Sequence, residues 1–175
     1  DLEKKRGITI FSHVACIQTG NSELQILDTP GHIDFAQEME ETLSVLDYAI
    51  LVVSASEGVT GYTRTLWSLL KKHQIPVFIF VNKMDTLKAD RENILNQLNE
   101  LDDNFIEFDN QDEDFYEKVA TADETTLDQY LELGKIEDSA VKKLINQRKI
   151  FPVYFGAALK LIGIDEFLPG LDKWT

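Results

Sequence analysis

With 175 residues, 43% of them apolar and 27% charged, the chain has the make-up of one soluble globular domain with a sizeable core. Its longest apolar runs, Ala49–Val53 and Val77–Val81, are strand-sized, so no membrane span is expected. With no basic-then-apolar leader, a cytoplasmic protein is expected. The formal net charge of −14 argues against broad nucleic-acid binding, but residues Glu100 to Asp138 hold 15 acidic and 2 basic side chains, a local −13 that leaves the rest at −1.

In chain order, Asp1 opens without a methionine inside a charged segment, so a piece of a longer protein is expected. Phe11–Gln18 alternates as a strand and places the single Cys16 in the core, in keeping with a reducing compartment. Gly20-Asn21-Ser22 reads as a hairpin turn into a strand at Leu24–Leu27. Phe35–Leu46 has helical spacing, with Asp34 as N-cap. Ala49–Val53 and Val77–Val81 are continuous apolar strands of the buried, parallel kind. Thr63–His73 and Lys88–Leu101 are the helices between and after them. From Asp102 to Lys149 the pattern stays helical but breaks into short pieces at Glu117–Val119, Thr126–Leu133 and Asp138–Lys149, forming an acidic helical insert. Pro152–Phe155 returns as a strand and Ile164–Trp174 closes as a helix. The alternation describes an α/β fold with a mostly parallel sheet and one antiparallel edge strand.

Four short motifs follow strand-like runs. Arg6–Thr9 (R-G-I-T) supplies the Thr9 hydroxyl, either a strand side chain or a Mg²⁺ ligand on a loop. Asp28–His32 (D-T-P-G-H) ends a strand at a carboxylate that can reach Mg²⁺. Gly31 leaves its N–H open to a phosphate, and His32 can orient a water. Alone, D-x-x-G is only a turn. Asn82–Asp85 (N-K-M-D) sets an amide and a carboxylate just past a buried strand. Asp85 can accept from two adjacent N–H groups, which guanine offers and adenine does not, while the stem of Lys83 lies along a base plane. Gly156-Ala157-Ala158 can present a backbone N–H to the guanine O6. His13 and His73 read as structural.

This set, in this order, resembles the G domain of translational GTPases, a P-loop-NTPase-like fold with helices on both faces of the sheet. It is most similar to the branch holding elongation factor G, the bacterial class-II release factor and the tetracycline-resistance ribosomal protection proteins. E-K-K-R-G-I-T-I is similar to the end of that branch's switch I, and D-T-P-G-H-I-D-F to its switch II. D-E-T-T-L-D-Q-Y-L-E-L-G and F-P-V-Y-F-G-A-A-L-K-L-I-G-I-D match its insert and guanine loop, so the whole of 1–175 is covered. The resemblance implies a GTP/GDP site with Mg²⁺, in which Thr9 and Asp28 serve the metal, and Asp28 and Gly31 serve the phosphates. Asn82, Lys83, Asp85, Ala157 and Ala158 serve the base, and His32 positions the hydrolytic water. It implies a ribosomal partner, both RNA and protein, and no membrane.

Two positions depart from that pattern. Ala157 stands where the family usually has serine, and no G-x-x-x-x-G-K-[ST] occurs in the sequence. That loop is the main phosphate cradle, so this chain alone is expected to bind GTP weakly and to be inactive without it. Two readings are carried forward: part of a ribosome-dependent GTP hydrolase, or a non-catalytic ribosome-docking module.

Overall fold

The computed structural model describes residues 13–19, 22–29 and 42–175. The chain divides into two compact units, residues 1–47 and 48–175.

In the first unit, strands β1 (His13–Thr19) and β2 (Ser22–Asp28) pair antiparallel, from His13 opposite Asp28 to Thr19 opposite Ser22. The alternation that marks them as strands does not put Cys16 in a core: it is exposed, opposite Gln25 in the ladder. A two-stranded ladder buries little by itself, and Val14 is likewise exposed. Thr42 and Leu43 are helical, and the Val45 N–H then reaches Thr42 O at 3.2 Å in a turn. The helix expected over 35–46 therefore stops short of Leu46, and its residues up to 41 lie outside the described ones.

The second unit is built on a four-stranded parallel sheet ordered β3-β4-β6-β5. Here β3 is Ala49–Ser54, β4 Val77–Asn82, β5 Phe105–Glu107 and β6 Phe151–Phe155. Registers run from Ala49 beside Val77 to Ser54 beside Asn82, and from Ile79 beside Val153 to Val81 beside Phe155. Strand β4 is nearly all buried, as its unbroken apolar run requires, whereas β3 alternates and leaves Ile50 and Val52 exposed. Strand β5 corrects the helical reading of 102–149. Its three residues are too few to show a period of two, and they are fixed as a strand by pairing Phe105 with Phe151 and Glu107 with Val153.

Six helices complete the described part of this unit: α1 (Gly61–Lys72), α2 (Arg91–Asn99), α3 (Glu113–Thr121), α4 (Glu124–Leu133), α5 (Asp138–Asn146) and α6 (Ile164–Trp174). Their starts are set by local chemistry. Thr60 and Thr63 form a reciprocal capping box for α1, and Asp90, Asp112 and Asp123 each accept an N–H in the first turn of α2, α3 and α4. Gly134, at φ 67°, ends α4 in the left-handed cap that glycine tolerates best.

Side chains two apart on a strand share a face, so Phe151 and Tyr154 point to opposite sides of the sheet. Trp67 of α1 packs on the first side, its ring 4.8 Å from Phe151 and 5.0 Å from Phe105. Phe167 of α6 packs on the second, 5.0 Å from Phe80 and 5.2 Å from Tyr154. Helices thus cover both faces of the central strands, which makes this a P-loop-NTPase-like α/β fold. The Arg148 guanidinium lies over Trp67 and Phe151 and donates to Ile75 O, and burial lowers its pKa.

Candidate functional site

Parallel strands bring all their carboxyl ends to one rim, and in this class of sheet that rim is where ligands bind. The loops after β4 and β6 interlock there through their backbones. Gly156 N–H donates to Val81 O and Met84 N–H to Gly156 O, both at 2.9 Å. Asn82 adds a side-chain tie: its Oδ1 accepts the Lys83 N–H at 2.8 Å and the Ala158 N–H at 2.9 Å. One amide oxygen therefore joins two loops that are 76 residues apart in the chain. It also supports Lys83 at φ 62°, a left-handed conformation that costs a side-chain-bearing residue about 1–2 kcal/mol. Thr86 closes the turn, its N–H and hydroxyl both donating to Lys83 O.

The β6 loop is folded tightly around glycine. A Cβ on Gly156 would sit 2.3 Å from Ile162 O and 2.8 Å from the tip of the Phe80 ring. A Cβ on Gly163, at φ 76°, would sit 2.3 Å from Phe155 O and 3.0 Å from the Gly156 Cα. Ala157 and Ile162 exchange reciprocal N–H···O bonds of 3.0 and 3.2 Å, closing the loop around a 3₁₀ turn at Ala158–Lys160. That turn carries Lys160 to Asp85, where Nζ lies 2.7 Å from Oδ2. The hydrogen bond from Lys160 holds the Asp85 carboxyl below its ordinary pKa, with partial desolvation opposing and the lysine charge assisting.

Five of the residues singled out in the sequence thus meet at one rim: Asn82, Lys83, Asp85, Ala157 and Ala158. The N–H groups of Ala157 and Ala158, read as candidates for a base carbonyl, are donated here to Ile162 O and Asn82 Oδ1. Asp28 ends β2 in the first unit, exposed and opposite His13 in the ladder. Thr9, Gly31 and His32 lie outside the described residues. Among the described residues no group of three His, Cys, Asp or Glu side chains is arranged to hold a metal. No helix among them is long and apolar enough to cross a membrane. The sequence reading missed Lys160 and the contact between Gly156 and Gly163. The only signal for the lysine was its place, two residues after the guanine-loop alanine.

A P-loop-NTPase-like sheet with an Asn-Lys-x-Asp turn tied to a Gly-Ala-Ala loop defines a class, the guanine-nucleotide-binding domains. The model of the elongation factor Tu GTP binding domain matches residues 1–175, and the chain belongs to that family, as a G domain of the translational GTPases. It is 34% identical over 184 residues to the tetracycline resistance protein TetM of Ureaplasma urealyticum, covering 95% of this chain and 29% of that protein. It is also 34% identical over 200 residues to TetP of Clostridium perfringens, covering 99% of this chain and 30% of the relative. The chain therefore spans about 30% of the length of these curated relatives. A crystal structure of a Thermus thermophilus protein shares the fold, with a TM-score of 0.86 at 19% identity over 98% of this chain and 33% of that one.

Proposed function

We propose that this chain is the guanine-nucleotide domain of a GTP hydrolase that works on the ribosome, as a translation factor or as a tetracycline-resistance ribosomal protection protein. The observation that carries this reading is the Asn82 tie, which holds the Asp85 carboxylate and the β6 loop against each other at the sheet's ligand-binding rim. The donor set suits guanine. Asp85 is an acceptor for N1–H and the 2-amino group, and the Lys83 stem serves as a base platform. A guanine O6 bound at Ala158 would share that N–H with Asn82 Oδ1 or take it over. Gly31 and Asp28 serve the phosphate end in this reading, and His32 orients the attacking water. Mg²⁺ would be held by Thr9 and Asp28. One exposed carboxylate and one hydroxyl are the sparse protein ligand set that magnesium on a nucleotide uses, and the ion neutralises phosphate charge when bound. The acidic insert, α3 to α5, would face a basic ribosomal protein rather than RNA, which its charge repels.

The test is ribosome-stimulated GTP hydrolysis by the full-length protein. His32→Ala should lower turnover by at least about a hundredfold while nucleotide affinity stays within about twofold, since removing a positioning group acts on the reaction step and not on binding. Unchanged turnover in that variant would remove His32 from the reaction, and a full-length protein with no ribosome-stimulated turnover at all would favour the non-catalytic docking module instead.

A further inference from the structure

Asp85 is not idle in the structure: an ammonium group is bound where a purine edge is expected. The partner is Lys160, at 2.7 Å from Oδ2, with its side chain 59% exposed while that of Asp85 is 30% exposed. The base of the lysine is fixed. Its N–H donates to Ala157 O at 2.9 Å within the 3₁₀ turn, and Leu161 at φ 59° reverses the chain immediately after it. The head is a flexible, largely solvated ammonium on four methylenes, which can swing to water at little cost. A carboxylate has about four acceptor positions on two oxygens, and guanine's N1–H and 2-amino group need one on each oxygen in a single plane.

We propose that Lys160 is the resident counter-ion of Asp85 whenever no base is bound, and that guanine enters by exchanging with it. This rests on the base-reading assignment above and deepens it. Lys160 then sets the strength of nucleotide binding from outside the bound complex. It neutralises a carboxylate that would otherwise stand partly desolvated and alone, and it competes with the base. Because an exposed ion pair contributes little, the exchange is easy, and the competition weakens guanine binding only severalfold. Salt screens the pair, so the competition fades as ionic strength rises.

The experiment is calorimetric titration of the full-length protein with GDP·Mg²⁺ up to millimolar concentration, in the wild type, Lys160→Met and Asp85→Asn. The expected result is an affinity about two- to fivefold higher in Lys160→Met at low salt, a gain that shrinks toward unity near about 0.5 M salt. A merely structural lysine would not tighten binding when removed. Equal or weaker GDP binding by Lys160→Met at low salt overturns the exchange. Asp85→Asn separates the two failures. If it abolishes the response to GDP while Lys160→Met changes nothing, only the exchange is wrong. If the full-length wild type and Lys160→Met alike fail to bind GDP, or if Asp85→Asn binds GDP as the wild type does, the base-reading assignment fails and the exchange falls with it.

Discussion

At the scale of single residues, the rim depends on positions that leave no room for alternatives. Gly156 is the sharpest of them, because its missing Cβ would collide with Ile162 O, a backbone atom held in the reciprocal Ala157–Ile162 bonds. Gly156→Ala should cost about 1–3 kcal/mol by overpacking, read as a lower denaturation midpoint at an unchanged slope. An unchanged midpoint would mean the loop is looser than the structure shows. Asn82 illustrates how far such residues can be read in sequence. Its place after a buried strand marks it as a site residue, yet its two backbone partners come from loops on either side of the whole acidic insert. Lys160 and Asp85 are 75 positions apart and share no periodic pattern, so only folding brings them into contact.

At the scale of elements, strands with long apolar runs and helices with a clear apolar stripe were legible, and short or charged stretches were not. The continuous runs of β3 and β4 match their expected bounds within a residue, and α6 matches the expected Ile164–Trp174. The first turn of α3 went unseen because Glu113 and Asp114 carry no apolar signal. That turn is set by Asp112, which accepts the Phe115 N–H at 3.1 Å. Asp112→Ala should therefore destabilise the unit by about 1 kcal/mol, measured by denaturant unfolding. A stabilised or unaffected variant would show that this cap contributes nothing.

The cap of α4 is expected to respond to pH. The hydrogen bond from Lys149 to Asp123, and secondarily those from Thr126, hold the Asp123 carboxyl below its ordinary value against desolvation. A carboxyl lowered by folding stabilises above its unfolded pKa, and that stability is lost as pH falls through the folded value. The melting-temperature gap between wild type and Asp123→Asn should be full at about pH 6 and should close on acidification below about pH 4. A gap independent of pH would remove the ion pair from the explanation.

At the scale of the whole molecule, fold class and family followed from the order of the motifs, and the parallel sheet of the second unit brings two of them, Asn82–Asp85 and Gly156–Ala158, to one rim. The exposure of Cys16 and the extra strand β5 were beyond that reasoning. The first depends on how little a two-stranded ladder covers, and the second on pairing with a strand 46 positions away. What unites the described site is one carboxylate, Asp85, held at the rim by Lys160, and the proposed reading has it tell guanine from other bases. The decisive measurement is competition between GDP and XDP for the full-length protein and its Asp85→Asn variant. Xanthine carries an oxygen in place of guanine's 2-amino group, so the substituted amide should lose GDP and gain XDP, each by about 10- to 100-fold. An Asp85→Asn protein that keeps its preference for GDP would contradict the assignment outright.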